Sequence, residues 1–215
     1  LDDAPIRSAL EQTAASFDPE FGGHRGAPKF PHCPEMELLL DLRKPEQVEF
    51  TLARMADGGI HDQIGGGFAR YSVDERWEIP HFEKMLYDNA QLLPLFAECR
   101  RADVAHGIIA WLVREMTAES GGSYAALDAD SEHEEGKFYV WQRDDLRALL
   151  DDGEFSVAAR HYGFDCPPNF EDKAWNPIVA VPLDDVAKTL AISQENARAL
   201  LASASAATAS AKWKM

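Results

Sequence analysis

Apolar residues recur every three or four positions over most of the chain, which is the spacing of one buried face on an α-helix. Proline stands near the predicted starts of several of these segments, and Gly58-Gly59 ends one of them. The pattern indicates a mainly helical, all-α fold. The predicted helices span residues 1–17, 34–42, 45–57, 83–101, 103–119, 144–150, 154–162, 183–191 and 193 to about 204.

Two segments between these helices alternate in polarity and predict short β-hairpins. The first would pair residues 68–71 with 76–79, ending at Pro80, and the second would pair 124–127 with 137–141. We expect both hairpins on one rim of the helical array.

A glycine pair with a nearby aromatic residue follows three of the helices. These elements are Phe21-Gly22-Gly23, Gly65-Gly66-Gly67-Phe68 and Gly121-Gly122-Ser123-Tyr124. The period of about 45 to 55 residues is that of a helical hairpin, and such repeats are typical of stacked or ringed units. The long loops should then collect on one face, where a cleft would form.

The segment from Gly58 to Asn89 is the longest of these connections. It holds five glycines, two histidines and many charged side chains. Connections of this length are uncommon unless they carry function. We therefore expect it to form the floor of a site.

The composition excludes several kinds of binding partner and site. The formal net charge is −16, which disfavours nucleic acid or an anionic membrane surface as a partner. No apolar run reaches the ~18 residues of a membrane span. Cys33, Cys99 and Cys166 are far apart, which excludes a disulfide framework or a CxxC site and favours a cytoplasmic location.

Three segments resemble the signatures of the thioredoxin-domain proteins related to spermatogenesis-associated protein 20. They are GGIHDQIGGGFARYSVDERWEIPHFEKMLYDNAQL, GGSYAALDADSEHEEGKFYVW and FGGHRGAPKFPHCPEMELLL, and HYGF with NFEDK matches a weaker signature. The resemblance covers most of residues 14–190. It implies an N-terminal thioredoxin-like domain followed by an (α/α)6 toroid similar to N-acylglucosamine 2-epimerases and six-hairpin glycosidases.

We expect the thioredoxin-like domain and the later half of such a toroid to be missing from this chain. We therefore expect residues 1–201 to form an incomplete (α/α)6 toroid-like array of helical hairpins. Residues 202–215 are rich in Ala and Ser and are predicted to be a low-complexity tail without a functional role.

His81 and Glu83 are the first candidates for chemistry. Histidine titrates near neutral pH, so His81 could transfer a proton at a carbon next to a sugar carbonyl, as in epimerases. A zinc-deaminase role for His-x-Glu fails because the chain has no CxxC. The alternative is structural, with both side chains capping the helix that follows.

Carboxylates from two loops could also serve a glycosidase, which needs two of them. Asp62 and Asp128 are the predicted catalytic partners of His81, and Asp130 is predicted to bind substrate. Asp128, Asp130 and Glu132 could alternatively bind Ca²⁺, although the EF-hand spacing is absent. These aspartates could also only bond their own backbone.

Aromatic and basic side chains complete the predicted site. Sugars stack on aromatic faces, and arginine binds anions in a bidentate way, although cross-strand packing and ion pairing are alternatives. A reactive thiol at Cys33 is a further, minor hypothesis. The predicted substrate-binding residues are Arg70, Tyr71, Trp77, Asp130, Tyr139 and Trp141.

Besides a purely structural role for the toroid, two functional hypotheses follow. In the first, the chain binds or transforms a sugar or sugar-like small molecule as an epimerase, isomerase or glycosidase-like enzyme. In the second, it is a non-catalytic domain that binds ligands or partners for a thioredoxin-like domain in a longer protein. Neither hypothesis includes a cofactor or a resident metal ion.

Overall fold

The computed structural model describes residues 3–212, and this part of the chain contains nine α-helices and three very short antiparallel strand pairs. The mainly helical class is confirmed. Apart from the C-terminal end of the last helix, predicted helix boundaries agree within a few residues, and the third helix agrees at both ends. The helices are α1 Ala4–Ser16, α2 Cys33–Asp41, α3 Pro45–Asp57, α4 Leu86–Glu98, α5 Ala102–Glu115, α6 Arg143–Leu149, α7 Asp152–Tyr162, α8 Leu183–Thr189 and α9 Gln194–Lys212.

Short and long connections alternate between these helices. Residues 42–44, 99–101, 150–151 and 190–193 are the short ones, and each joins two helices that pack together. Helices joined by such short links are antiparallel neighbours. The long connections 17–32, 58–85, 116–142 and 163–182 therefore emerge at the same end of the array.

Backbone pairing links each long connection to the next one. Lys29 bridges Ser72, strand β3 (Lys84–Met85) pairs with β4 (Ala126–Leu127), and Trp141 bridges Trp175. Four consecutive loops thus form one continuous surface, as expected from the glycine repeat. Its outer parts are two hairpins, β1 (Tyr71–Ser72) with β2 (Pro80–His81), and β5 (Asp130–Ser131) with β6 (Glu134–Glu135).

Both predicted hairpins were wrong in their strand positions. In the first, the Asp74 carboxylate accepts hydrogen bonds from the backbone N–H groups of Arg76, Glu78 and Ile79. This folds 73–79 into a wide turn and moves the strands outward, so that Pro80 lies within β2. In the second, the β4 strand pairs with β3, far away in sequence, instead of with residues 137–141.

Two main hydrophobic clusters support this surface. One lies among α2, α3, α4 and α5 and includes Met36, Leu52, Phe96 and Ile108, and the other joins α6, α7 and α9 through Leu146, Ala158 and Ala204. Asn89 on α4 ties the helices to the loops, because its side chain bonds both the N–H and the C=O of Phe68. No helix within residues 3–212 combines the length and the apolar character that a membrane crossing requires.

The last helix is longer than the sequence predicts. Instead of ending near Ala204, α9 continues to Lys212, with Thr208 and Lys212 buried. Its small Ala and Ser side chains let it pack closely against α7. The boundary at residues 201 and 202 stays a prediction, and residues 1–2 and 213–215, which fall in the predicted first helix and tail, lie outside the described part.

Candidate functional site

A buried lysine–aspartate pair organises the glycine turn at residues 62–67. The Oδ1 atom of Asp62 accepts hydrogen bonds from the backbone N–H groups of Ile64 and Gly65. Its Oδ2 atom accepts from Lys84 Nζ at 2.9 Å, and the same ammonium donates to Gly66 O at 2.8 Å. The pair locks β3 onto the turn.

The turn at residues 18–23 repeats this arrangement. Asp18 Oδ1 accepts from the N–H groups of Glu20 and Phe21, while Lys29 Nζ donates to Asp18 Oδ2 at 2.7 Å and to Gly22 O at 2.9 Å. The predicted repeat is thus confirmed at atomic detail in two copies. In the third copy Ala118 stands where the aspartate would be, and only the backbone turn remains.

The catalytic role of Asp62 stays a prediction, and its surroundings favour a structural role. Burial alone would raise the pKa of this carboxyl, but the ammonium groups of Lys84 and Lys212 outweigh it and hold the pKa well below its usual range. Both carboxylate oxygens also accept internal hydrogen bonds, which is typical of a structural group.

A second group of polar side chains lies at the outer side of β2. It consists of Arg70, His81, Glu83 and Glu135. His81 Nδ1 lies 2.8 Å from Glu135 Oε1, and His81 Nε2 lies 3.8 Å from Glu83 Oε2. Arg70 Nη1 is 3.7 Å from the same Glu83 oxygen. All four side chains are partly exposed, between 27% and 48%.

The β1–β2 pairing places Tyr71 directly opposite His81, and their rings stack with centroids 5.1 Å apart. Phe30 stacks on the other face of this arrangement, 4.7 Å from the Tyr71 ring. The alternative in which His81 and Glu83 cap α4 is wrong, because Met85 occupies the N-cap position without a side-chain bond. The two residues are therefore available for other contacts.

Glu135 is the residue that sequence reasoning left out of the site. It reaches His81 because Glu132 and His133, both with positive φ (53° and 65°), form a two-residue turn that returns the chain as β6. Such turns usually contain Asn or Gly, so the residues at these two positions do not predict a hairpin. The only local signal was the glycine at position 136.

Asp128 and Asp130 are both exposed, and Asp128 Oδ1 accepts a hydrogen bond from the N–H of Asp130. Asp130 lies opposite Glu135 in the β5–β6 pair, so their side chains share one face of the hairpin. Asp130 thus lies beside the His81 group, whereas Asp128 stabilises the turn before β5.

The predicted aromatic platform is largely wrong. Trp77 is fully buried, has a φ of +66° and donates its indole N–H to Phe21 O at 2.8 Å, so it offers no face to a ligand. Tyr139 is buried against Phe82, and burial raises the pKa of its hydroxyl. Trp141 is mostly buried but lines a cleft.

This cleft has a volume of about 540 Å³ and lies on the opposite side of β6 from His81, because Glu134 faces it while Glu135 faces the histidine. Lys212 forms part of its wall and donates to Tyr139 O at 2.9 Å. Burial, opposed by Asp62, lowers the pKa of Lys212 to about 8. The remaining wall is aromatic and charged, with Phe138, Trp141, Phe170, Lys137 and Lys173.

Candidate metal ligands occur elsewhere. Within the part of the chain that the structure describes, a group of three possible ligands forms at His24, His32 and Glu35 rather than at Asp128, Asp130 and Glu132. From the sequence, a metal ion was considered only at Asp128, Asp130 and Glu132, so this group was missed.

The hypothesis of a reactive thiol at Cys33 is wrong. The side chain is buried, and burial together with the Asp88 carboxylate raises the pKa of the thiol to about 12. Thiolate formation near neutral pH is therefore strongly disfavoured.

Comparison with known proteins places the chain among relatives without a described activity, and no family model matches it. Spermatogenesis-associated protein 20 of Mus musculus is 39% identical over 165 residues, and its Homo sapiens counterpart is 38% identical over the same length; each match covers 66% of this chain. An uncharacterized protein of Caenorhabditis elegans is 38% identical over 180 residues, 72% of this chain. The chain is thus similar to these proteins and spans a fifth to a quarter of their length, 21% for the two mammalian proteins and 25% for the nematode one.

Proposed function

We propose that the chain belongs to a helical domain that binds a sugar or sugar-like small molecule and transfers a proton at a carbon next to its carbonyl group, with His81 as the acid–base group. The observation that carries this proposal is the 2.8 Å contact between His81 Nδ1 and Glu135 Oε1. A carboxylate at one ring nitrogen orients the imidazole and fixes its tautomer.

This contact determines which ring nitrogen of His81 carries the proton, and so leaves Nε2 as the possible base. When neutral His81 donates Nδ1–H to Glu135, Nε2 carries the lone pair, as a general base requires. In the proposed reaction Nε2 takes the proton from the hydroxyl-bearing carbon next to the carbonyl, leaving an enediolate. The imidazolium then protonates the former carbonyl carbon, while the hydroxyl proton passes to the former carbonyl oxygen. No co-reactant is needed, because one proton moves between the two carbons and one between the two oxygens, and exchange of the imidazolium proton with solvent labels the sugar in D₂O.

Neighbouring groups support binding of a polar substrate. Arg70 lies within reach of the same surface, 3.7 Å from Glu83, and can donate to an enediolate oxygen or a substrate carboxylate. Tyr71 stacks between His81 and Phe30, so it positions the imidazole and does not offer a free face to the sugar. Glu83 and Glu135 could also serve as the two carboxylates of a glycosidase, but a histidine placed between them favours proton transfer.

The wider architecture that we propose is a toroid of helical hairpins within a longer cytoplasmic protein that also has a thioredoxin-like domain. The alternation of short and long connections supports the hairpin array. The length of the relatives, four to five times the matched span, leaves room for further domains.

The second candidate function is non-catalytic ligand binding in the 540 Å³ cleft beside Trp141 and Lys212. Its size is within the usual range for small-molecule sites. The cleft does not include His81, so the two functions make different predictions for the same variants.

Proton transfer can be tested by ¹H NMR in D₂O, by following exchange of the proton next to the carbonyl in a panel of aldoses, ketoses and N-acylhexosamines. We expect exchange with at least one sugar, a loss of about 100-fold or more in His81→Gln, and a smaller loss in Glu135→Gln. His106→Gln, which changes an exposed histidine on α5, is the matched control and should exchange as the wild type does.

Exchange that persists at the wild-type rate in His81→Gln would contradict the proposal, and so would the absence of exchange with every sugar in the panel. A sugar-dependent rise in melting temperature without exchange, lost in Trp141→Ala but kept in His81→Gln, would instead support the cleft as a binding site.

A further inference from the structure

Three possible metal ligands converge where the glycine turn at residues 18–23 meets helix α2. The ligand atoms of His24, His32 and Glu35 all lie within 4.8 Å of one another. His24 Nε2 is 2.7 Å from Glu35 Oε2, and the two imidazole rings stack with centroids 4.0 Å apart.

We propose that His24, His32 and Glu35 bind a divalent transition-metal ion of the zinc class. Two imidazole nitrogens and one carboxylate oxygen are a ligand set that leaves a fourth position on Zn²⁺ for water or another ligand. Zinc–ligand bonds of about 2.0–2.2 Å put the donors of a tetrahedral site roughly 3.4 Å apart. The three donors are therefore within a small side-chain movement of that geometry.

The backbone holds the three ligands in place from both sides. His24 follows the locked turn and forms a β-bridge with Phe17, and the preceding Gly23 N–H donates to Thr51 Oγ1 at 2.9 Å. His32 precedes α2 in a left-handed conformation with a φ of 52°, and the N–H of Glu35 donates to His32 O at 3.0 Å. The i, i+3 spacing sets His32 and Glu35 on the same side of the first turn of α2.

The position of His32 is the feature that an ordinary ion pair leaves unexplained. A His24–Glu35 pair accounts for the 2.7 Å contact without a third residue. His32 is exposed, so its ring is free to turn from the stacked position and point a nitrogen at the same ion.

An open cleft of about 350 Å³ lies next to these ligands, between α1 and α2. Gln12, Thr13 and Ser16 line it together with His24 and Glu35. A bound ion would therefore be reached from solvent, and its fourth position would face a polar surface. Cys33 does not compete as a ligand, because its side chain is buried and does not line this cleft.

The experiment is a titration of the tag-free chain with Zn²⁺ against a chromophoric chelator, and with Co²⁺ by visible absorption. We expect one equivalent of metal and, for Co²⁺, the absorption bands of a site with fewer than six ligands. His24→Ala, His32→Ala and Glu35→Gln should each weaken binding by at least 10- to 100-fold, since removal of even an outer partner of a ligand has effects of that size. His106→Ala is the control and should bind as the wild type does.

Thermal unfolding with and without Zn²⁺ separates loss of the site from loss of the fold. The metal should raise the melting temperature of the wild type and of His106→Ala, but not that of His32→Ala, whose metal-free melting temperature should match the wild type. Failure of the wild type to bind one equivalent of Zn²⁺, or binding that is equally strong in His32→Ala, would overturn the proposal.

Discussion

Lys84 donates a hydrogen bond to Asp62 across 2.9 Å in the interior of the protein, where the two side chains are only 2% and 8% exposed. The ammonium also lies over the rings of Trp111 and Tyr139. A charge in this environment depends on its partner, because neither group can recover its hydration shell.

Loss of one partner should therefore destabilise the protein strongly. We expect Lys84→Met to lower the free energy of unfolding by about 3–5 kcal/mol, because it leaves the Asp62 carboxylate buried without its hydrogen-bonded counter-charge. Lys188→Met, which removes a fully exposed lysine paired with Asp185 at 2.7 Å, should leave the unfolding midpoint nearly unchanged. Urea denaturation of both variants makes the comparison.

The double variant Lys84→Met, Asp62→Asn tests the cause. Because it removes the buried charge as well as its partner, it should recover part of the loss. If Lys84→Met unfolds at the same midpoint as Lys188→Met, the pair does not stabilise the turn.

Low pH should reduce the contribution of the Asp62–Lys84 pair to the free energy of unfolding. The pKa of Asp62 is lower in the folded chain than in the unfolded chain, so its contribution to stability is fully present above the unfolded value of about 3.8 and is lost as pH falls toward the folded value. The difference in unfolding free energy between the wild type and Asp62→Asn should therefore be largest at neutral pH and shrink below about pH 4. Denaturation curves from pH 7 to pH 2.5 measure this difference, and Asp185→Asn, at an exposed position, is the comparison variant.

Lys212 should also make stability rise with pH, but in the alkaline range instead of the acidic one. Burial lowers its pKa from about 10.5 to about 8, so in this interval the unfolded chain binds a proton that the folded chain does not, and stability rises with pH. Below pH 8 the full penalty of a buried charge applies, on the order of 3 kcal/mol from the size of the shift.

Lys212→Met should accordingly be more stable than the wild type at pH 7, by an amount reduced by the lost bond to Tyr139 O, and this advantage should shrink between pH 8 and pH 10. Lys44→Met, at an exposed position, is the control and should show a constant difference. An advantage of Lys212→Met that does not change with pH would argue against a titrating amine.

Gly66 and Gly121 have similar φ angles but different surroundings. Alanine substitutions at the two positions therefore compare the cost of a steric clash with the cost of backbone strain alone. Gly66 has a φ of +77°, and a Cβ atom there would lie 2.4 Å from Gly107 O, whereas Gly121 has a φ of +87° and nothing within 4 Å. Gly121→Ala should lower the unfolding free energy by about 1–2 kcal/mol, from the left-handed conformation alone. Gly66→Ala should add about 1–3 kcal/mol from overpacking against α5. Equal effects in thermal unfolding would show that the close approach of the two backbones is unimportant.

Much of the helical framework follows from local sequence. Helix α3 was predicted at both ends because Pro45 suits a first turn and Gly58-Gly59 ends the apolar pattern. The glycine repeat and its common loop face were also predictable, since they depend on residues close together in the chain. Arg70, Tyr71, His81 and Glu83 come together for the same reason, because one hairpin carries all four.

The remaining features depend on which distant surfaces meet. Glu135 reaches His81 from 54 positions away, β3 finds its partner in β4, and Trp77 is buried under the first glycine turn instead of facing a ligand. Backbone pairing and burial of this kind have no local sequence signature, because they are decided by the free energy of packing whole elements together. The sequence by itself determined a mainly helical chain with a loop-rich face. The tertiary structure decided which of its charged groups are buried and stabilise the fold and which remain exposed to solvent.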